Sequence, residues 1–352
     1  MVVAPIHRLA GMRTVYSDLH RLQHGKAELV NGTLMPCFEY PARADLVLAR
    51  VRDRDIGEVI EPKEHGLDPV LRVHTPGFVE FLRTAWDQWT AIDRDWDALP
   101  LVWTVRSFRQ DRVPETIDGK LSYYSLDAGT PITAGTWTAS RAAVDVALTG
   151  VDLLLGGECA VFSLCRPPGH HAAADLYGGY CFFNNAAIAA QALRDQGAAT
   201  VAILDVDYHH GNGTQSIFYE RGDVPFASIH GHPRQEYPFF LGFEDETGEG
   251  PGAGANANFP LRHGSGWDTW SQALESACTF LEGHRPDALV VSLGVDTYKD
   301  DPISQFELDH EHYLLIGERI KAMGVPTLVV FEGGYAVAEI GINAVNVLEG
   351  MA

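Results

Sequence analysis

Three chemically active side chains are spaced by two in one short segment, Asp205, Asp207 and His209. They follow an apolar run, residues 200–204, that predicts a buried strand. An extended backbone would place all three side chains on one face. Buried like charges this close repel each other unless a cation holds them. The spacing therefore favours a metal site over the alternative, a solvated acidic turn.

A further ligand has to come from another part of the chain. Asp296 is the natural candidate, because it ends a second apolar run after Gly294 allows the chain to turn. The set Asp207, His209 and Asp296 would leave one metal position open for water or substrate, which is typical of catalytic sites. Two carboxylates and one imidazole suit Zn²⁺, but also Fe²⁺, Co²⁺ or Mn²⁺.

Two histidines and a tyrosine follow other apolar runs. His170 and His171 come directly after Pro-Pro-Gly, a stiff backbone that could fix two imidazoles against a reacting group. Either histidine taken alone could equally be a core residue. Tyr335 follows two glycines and could donate to an oxyanion, with simple packing as the alternative. Cys165 and Cys181 are close enough in sequence to be considered as nucleophiles, but nothing distinguishes them from ordinary buried thiols.

The elements that must position these groups alternate between strand and helix. Short apolar runs predict strands at residues 160–164, 200–204, 224–229, 288–293 and 327–331. Helical periodicity predicts helices at residues 185–194, 267–281 and 310–323. This order predicts an α/β fold, a doubly wound, mostly parallel sheet with helices on both faces, in a single domain spanning residues 1–352. Ligands of such sheets bind beyond the carboxyl ends of the strands, where four of the runs end in the candidate residues.

Two segments lack a sustained period. Residues 86–131 hold several tryptophans among charges and prolines, and we interpret them as a long, partly structured excursion. Residues 244–260 are rich in glycine and are expected to be irregular. They are not a dinucleotide-binding loop, because no strand precedes them and no helix follows.

Composition narrows the class of partner. The 352 residues include 47 acidic and 26 basic side chains, a formal net charge of −21. Such a charge repels nucleic acid and anionic membranes. It attracts cations, although a merely soluble surface explains it equally well. No apolar run is long enough for a signal peptide or a membrane span, so we expect a cytoplasmic protein.

Five motifs in order resemble the zinc-dependent histone deacetylase family, which has the arginase/deacetylase fold. They are Arg166-Pro-Pro-Gly-His-His171, Asp205-Val-Asp207-Tyr-His-His-Gly-Asn-Gly213, Ser292-Leu-Gly-Val-Asp296, Asp301-Pro302 and Glu332-Gly-Gly-Tyr335. Within that family the chain is similar to the bacterial acetylpolyamine amidohydrolases. The resemblance begins near Met12, which leaves residues 1–11 as an N-terminal extension.

The resemblance implies a role for each motif residue. Zinc, one ion per chain, would be held by Asp207, His209 and Asp296 and would polarise the acetamide carbonyl. His171 would be the general base that activates water and then protonates the leaving amine. His170 would be the electrostatic partner of His171, and Asp205 would be the carboxylate that orients His170. Tyr335 would donate a hydrogen bond to the oxyanion.

Further positions follow from the same resemblance. Asn212 stands where many eukaryotic members place an aspartate behind the second histidine. Tyr180 and Phe240 match the aromatic pair that walls the family's narrow channel. Asp205 and Ser228 match a monovalent cation site, usually a structural K⁺.

The excursion at residues 86–131 aligns with a loop that joins a homodimer and narrows the active-site mouth in polyamine-specific relatives. Asp118 falls where an acidic residue is expected to meet a distal substrate amine. A second acidic position of that loop falls on Gly129, with Asp127 close by. The departure at Gly129 weakens the transfer of strict polyamine specificity.

The sequence thus predicts a metal-dependent amide hydrolase that removes acetyl groups from acetylated polyamines or related small aminoalkyl amides. Its substrate would be a small cationic amine, and neither nucleic acid nor a membrane would be a partner. An acetyl-lysine deacetylase of proteins or peptides is the alternative within the family. A non-catalytic module that captures cations is the alternative outside it.

Overall fold

The computed structural model describes residues 11–352 of the chain. The predicted N-terminal extension, residues 1–11, lies outside the described residues except for its last position. Within residues 11–352, no helix is both long and apolar enough to cross a membrane.

In the described part of the chain, eight strands form one sheet in which every neighbouring pair is parallel. The strands β2 and β3 form a separate antiparallel hairpin. In chain order the strands of the sheet and the hairpin are β1 (Arg13–Val15), β2 (Glu28–Val30), β3 (Thr33–Met35), β4 (Val59–Ile60), β5 (Ala160–Ser163), β6 (Val201–Asp205), β7 (Phe226–Gly231), β8 (Asn256–Leu261), β9 (Ala288–Leu293) and β10 (Thr327–Phe331). The order across the sheet is β4-β1-β5-β10-β9-β6-β7-β8.

Ten α-helices within residues 11–352 surround the sheet. They are α1 (Ala42–Asp53), α2 (Asp68–Leu71), α3 (Pro76–Thr90), α4 (Ile117–Tyr124), α5 (Thr136–Leu155), α6 (Asn185–Asp195), α7 (Asn212–Phe218), α8 (Trp267–Gly283), α9 (His310–Ala322) and α10 (Ile340–Met351). Two short 3₁₀ helices lie at Asp18–Leu22 and Gly250–Gly252.

Alternate residues of the central strands pack into two separate hydrophobic cores, one on each face of the sheet. On β10, Leu328 and Val330 pack with α3, α5 and α6, whereas Val329 and Phe331 pack with α1, α8, α9 and α10. Because side chains alternate across a strand, a continuously apolar run fills both cores at once. The predicted doubly wound α/β fold is confirmed, with a sheet that is entirely parallel.

Two expectations about irregular segments are wrong. The excursion does not begin at residue 86, because Trp86 and Trp89 belong to α3, which Thr75 caps through its side chain and Pro76 opens. The helix α4 within it agrees with the expectation of a partly structured segment. The glycine-rich segment ends in β8, an edge strand that tolerates Pro260 because one side of an edge strand needs no ladder donors. The short strands β1 and β4 were also not predicted.

Candidate metal centre and active site

The carboxyl ends of four adjacent strands meet at one edge of the sheet. Strands β5, β10, β9 and β6 lie side by side, and each is followed by one of the motifs singled out in the sequence. Parallel strands bring their carboxyl ends to a common edge, so residues far apart in the chain come together there. The structure places all the predicted catalytic and metal-binding residues at this edge.

Asp207, His209 and Asp296 form a buried cluster in which one ligand atom from each lies within 4.8 Å of the others. His209 Nδ1 lies 3.1 Å from Asp296 Oδ2 and 3.5 Å from Asp207 Oδ1. A Cβ atom at Gly294 or Gly333 would collide with the Asp207 carboxylate, so both glycines are required for this close approach. The backbone at these two glycines therefore packs directly against the Asp207 carboxylate of the cluster.

The electrostatics of this cluster suit a divalent cation. Burial raises the pKa of Asp296 to about 7, and the charge of Asp207 adds to the effect. Burial also acts on Asp207, but the imidazoles of His170 and His209 outweigh it and lower the pKa of that carboxyl. Backbone N–H groups of Tyr208 and Gly333 donate to Asp296 Oδ1 and Asp207 Oδ2 at 2.8 Å each, which aims the carboxylates. Two oriented carboxylates and an imidazole fit Zn²⁺ or a similar ion.

The tandem histidines lie beside this cluster with different partners. His170 Nδ1 is 3.0 Å from Asp205 Oδ2, and His171 Nδ1 is 2.6 Å from Asn212 Oδ1. Burial alone would lower the pKa of His170, but Asp207 and Asp205 raise it to about 10. Burial, together with His170 and His209, lowers the pKa of His171 well below its usual value. His170 is thus charged and His171 neutral at pH 7.

A buried carboxylate that the sequence analysis did not single out holds the histidine loop. Glu332 Oε2 accepts hydrogen bonds from the backbone N–H groups of Gly169 at 2.6 Å and His170 at 3.1 Å. Burial raises the pKa of Glu332 to about 7. The motif Glu332-Gly-Gly-Tyr335 therefore positions groups on two loops.

Tyr335 lines the same cavity as His171 and His209. The guanidinium of Arg43, itself fully buried, stacks 4.6 Å from the centre of its ring. Asp301 Oδ2 accepts a 2.6 Å hydrogen bond from the Tyr335 backbone N–H. Burial raises the pKa of the Tyr335 phenol well above 10, so the hydroxyl keeps its proton.

A cavity of about 400 Å³ leads to this group of residues. His171, His209 and Tyr335 line its inner end, and Tyr180 lines its side. The ring centre of Tyr180 lies 5.6 Å from that of Tyr335. An aromatic passage of this kind suits a slim apolar chain.

The structure corrects the aromatic partner expected of Tyr180. Phe240 is 89% exposed and does not line the cavity. Tyr237 lines it instead, with its ring edge-on at 5.1 Å from that of His171. The sequence holds Tyr237, Phe239 and Phe240 close together, so the motif alone did not show which ring turns inward.

The two acidic residues noted in the excursion, Asp118 and Asp127, lie in different surroundings. Asp118, on α4, pairs with Arg94 at 2.5 Å and does not line the cavity of this chain. Asp127 and Gly129 do line it, together with Glu28, which the sequence analysis did not name. The structure thus does not bring Asp118 to the cavity of its own chain.

The residues expected at a monovalent cation site are neighbours. Asp205 and Ser228 are paired on β6 and β7. Ser228 Oγ lies 2.8 Å from His230 Nδ1, while Asp205 Oδ1 accepts from the Asp207 N–H at 3.1 Å.

The two cysteines considered as nucleophiles are buried, and burial raises the pKa of Cys165 and of Cys181 well above 9. Neither thiol is therefore an activated nucleophile.

Comparisons with known proteins agree with this geometry. The histone deacetylase domain profile matches residues 37–351. Acetylpolyamine amidohydrolase 2 of Pseudomonas aeruginosa is 62% identical over 96% of this chain and 98% of its own length. The acetylpolyamine amidohydrolase of Mycoplana ramosa is 50% identical over 97% of this chain and 100% of its own.

A solved structure extends the comparison to the fold. The crystal structure of an acetylpolyamine aminohydrolase from Burkholderia pseudomallei is 38% identical and superposes with a TM-score of 0.92, covering 96% of this chain and 98% of the other. These findings confirm the resemblance indicated by the sequence motifs. The chain belongs to the histone deacetylase family, and its relatives within that family include several acetylpolyamine amidohydrolases.

Proposed function

We propose that this protein is a metal-dependent amidohydrolase that removes acetyl groups from acetylated polyamines or similar small aminoalkyl amides. The observation that carries the proposal is the buried Asp207, His209 and Asp296 cluster at the inner end of an aromatic cavity, flanked by His171 and Tyr335. The names of its relatives support the substrate class.

One divalent ion per chain would be held by Asp207, His209 and Asp296. We propose Zn²⁺, with Fe²⁺, Co²⁺ or Mn²⁺ as alternatives that this ligand set also accepts. When bound, the ion would polarise the amide carbonyl and lower the pKa of a water molecule to about 7. A structural K⁺ near Asp205 and Ser228 remains a prediction from the resemblance.

The protein side chains would supply the proton transfers. His171 is neutral and lines the cavity, so it can take a proton from the attacking water and deliver it to the leaving amine. His170 would stabilise the developing charges electrostatically, held by Asp205. The Tyr335 hydroxyl would donate to the oxyanion of the tetrahedral intermediate.

The cavity wall offers a carboxylate for the distal amine of the substrate. Glu28 lies in β2 and its side chain is buried at the cavity wall. Phe38 N–H donates to Oε1 at 3.1 Å, and the Tyr180 hydroxyl lies close enough to the carboxylate to lower its pKa somewhat. By distance and angle, Oε2 itself has no hydrogen-bond partner within residues 11–352. Burial raises the pKa of Glu28 to about 7. An ammonium group arriving here would stabilise the ionised form.

The oligomeric state and cellular compartment also remain proposals. We propose a homodimer formed through the excursion, because residues 91–116 expose large apolar side chains, among them Leu101 at 80% and Phe108 at 57%. Analytical ultracentrifugation would test this. A cytoplasmic location remains the expectation from the sequence.

Acetate release by the purified, metal-loaded protein tests the proposed function. We expect hydrolysis of acetylputrescine, acetylcadaverine or acetylspermidine, and loss of activity on chelation that returned metal restores. Efficient deacetylation of a folded acetylated protein would instead favour the acetyl-lysine deacetylase. Binding of these amines without acetate release would favour a non-catalytic module.

The net charge predicts an effect of salt on substrate capture. An acidic protein steers a cation by a field that salt screens, so kcat/KM for acetylspermidine should fall about 3- to 10-fold from low to high ionic strength. An uncharged acetylated alkylamine is the matched control and should change little. Equal responses of the two substrates would show that the charge of −21 plays no part in capture.

Replacing Glu28 with glutamine tests the charge at the cavity wall. We expect kcat/KM for acetylputrescine to fall about ten-fold, mainly through KM, because an amide cannot pair with an ammonium group. Hydrolysis of an uncharged acetylated alkylamine should stay within about two-fold. An equal loss for both substrates would contradict the role.

The pH dependence gives a second readout of Glu28. Its pKa is raised to about 7, so the carboxylate forms as pH rises through neutrality. The preference of the wild type for the charged over the uncharged substrate should therefore grow between pH 6 and 8. This growth should be absent in the Glu28→Gln variant.

A further inference from the structure

The carboxylate of Asp127 accepts four hydrogen bonds from three separate parts of the cavity wall. Oδ1 accepts from Gly129 N–H at 2.9 Å and from the Thr130 hydroxyl at 3.0 Å. Oδ2 accepts from Gly179 N–H at 2.5 Å and from the Tyr237 hydroxyl at 2.8 Å. An ionised carboxylate has about four lone-pair sites, so each is used. No site is left for a substrate ammonium.

Asp127 therefore differs from Glu28, the other carboxylate of this wall. Both line the cavity, but Glu28 Oε2 has no hydrogen-bond partner in the described part of the chain. The sequence placed Asp127 near an acidic position expected to meet the substrate amine. Its contacts instead point to a role in holding the wall.

The same contacts fix both aromatic walls of the channel. Tyr180 has a backbone φ of +66°, a left-handed conformation that an aromatic residue adopts only where its surroundings hold it. Its N–H donates to Thr130 Oγ1 at 2.9 Å, and the preceding Gly179 donates directly to Asp127. Tyr237, which also lines the cavity, reaches Asp127 through its hydroxyl.

We infer that Asp127 is a positioning residue that sets the separation of Tyr180 and Tyr237, and thereby restricts the channel to slim acyl-amine substrates. This inference rests on the proposed function for its effect on substrates. Its structural part, the connection of three wall segments through one carboxylate, does not depend on any activity.

Hydrogen exchange followed by mass spectrometry tests the structural part. In Asp127→Ala, the amides of Gly179 and Tyr180 should exchange at least about ten-fold faster, because one loses its acceptor and the other loses the support of Thr130. Tyr237→Phe removes only one of the four donors and should leave both amides protected. Asp95→Asn, a change of an exposed carboxylate on the same excursion, is the matched control. Unchanged protection in Asp127→Ala would overturn the inference.

Selectivity tests the functional part. The ratio of kcat/KM for acetylputrescine to that for an acetyl-lysine peptide, which is bulkier at the amine, should fall about ten-fold in Asp127→Ala and less in Tyr237→Phe. The loss should lie mainly in KM for acetylputrescine. If Asp127→Ala changes only the preference for charged over uncharged amines of equal width, Asp127 is a charge receptor and the inference is wrong.

The two failures can be told apart. A wild-type protein that hydrolyses no acetylated amine would contradict the proposed function. The exchange experiment would still decide whether Asp127 holds the channel walls. Where Asp127→Ala does not fold, Thr130→Val gives the same test for Tyr180 alone, because it removes the acceptor of that N–H and leaves Asp127 in place.

Discussion

Replacing Asp296 with asparagine is expected to abolish stoichiometric metal binding and to lower kcat/KM for acetylated amines at least about 100-fold. The side chains are nearly the same size, and the amide oxygen can still accept from the Tyr208 N–H. The amide nitrogen would then occupy the place of Oδ2, 3.1 Å from His209 Nδ1, and would present a donor to the ion. The chain keeps its shape but loses one of two charged ligands.

Without bound metal, the Asp296→Asn change should not lower the stability of the folded protein. The raised pKa of Asp296, about 7, means that ionising this carboxyl in the folded protein costs free energy. That cost builds up between about pH 4, where the unfolded chain ionises Asp, and about pH 7, and is fully present above pH 7. At pH 8 the metal-free Asp296→Asn protein should therefore unfold at a temperature equal to or above that of the metal-free wild type.

With metal present, the wild type should gain stability that the Asp296→Asn variant does not gain. Ion binding to the native state alone stabilises by about 2.7 kcal/mol when the ion is at 100 times its Kd, which shifts the unfolding temperature by several degrees. The wild type should show this shift and the variant should not. Metal analysis of dialysed protein, with Asp95→Asn as control, completes the test. Full metal occupancy in Asp296→Asn would exclude Asp296 as a ligand.

The metal cluster and the histidine pair were predictable because their geometry is local. Asp205 ends β6, and Asp207 and His209 follow directly in a bend of the chain, so closeness in sequence rather than strand alternation keeps them together. The end of β9 contributes Asp296 by the parallel topology, which the alternation of strands and helices predicts. The order of elements and a two-residue spacing were sufficient here.

The channel wall was not predictable in the same way. Asp127 and Tyr237 are 110 positions apart, and both lie outside the sheet. Their contact depends on how two loops pack, for which no periodicity exists in the sequence. The same reason explains why the motif indicates Phe240 rather than Tyr237, and why no pattern in the sequence distinguishes Glu28, which lies on a short hairpin. The burial of Arg43 and Glu332 likewise follows only from tertiary packing.

Replacing Tyr335 with phenylalanine is expected to lower kcat about 100- to 1000-fold while leaving KM, metal content and unfolding temperature nearly unchanged. Loss of one oxyanion donor costs about 2.7 to 4 kcal/mol in other enzymes. The ring contacts that hold the side chain, with the Arg43 guanidinium and the Tyr180 ring, do not need the hydroxyl. The backbone N–H of residue 335 keeps its bond to Asp301 in the variant.

This combination separates a chemical role of Tyr335 from a packing role. A packing tyrosine would lose stability and affinity together when changed, whereas an oxyanion donor acts only when negative charge develops on the substrate oxygen. Tyr123→Phe is the matched control, because it removes a hydroxyl that donates to Gln110 O at the surface. Steady-state kinetics with acetylputrescine, thermal unfolding and metal analysis of the variants give the three readouts. A Tyr335→Phe enzyme that retains wild-type kcat would show that the oxyanion is stabilised without this hydroxyl.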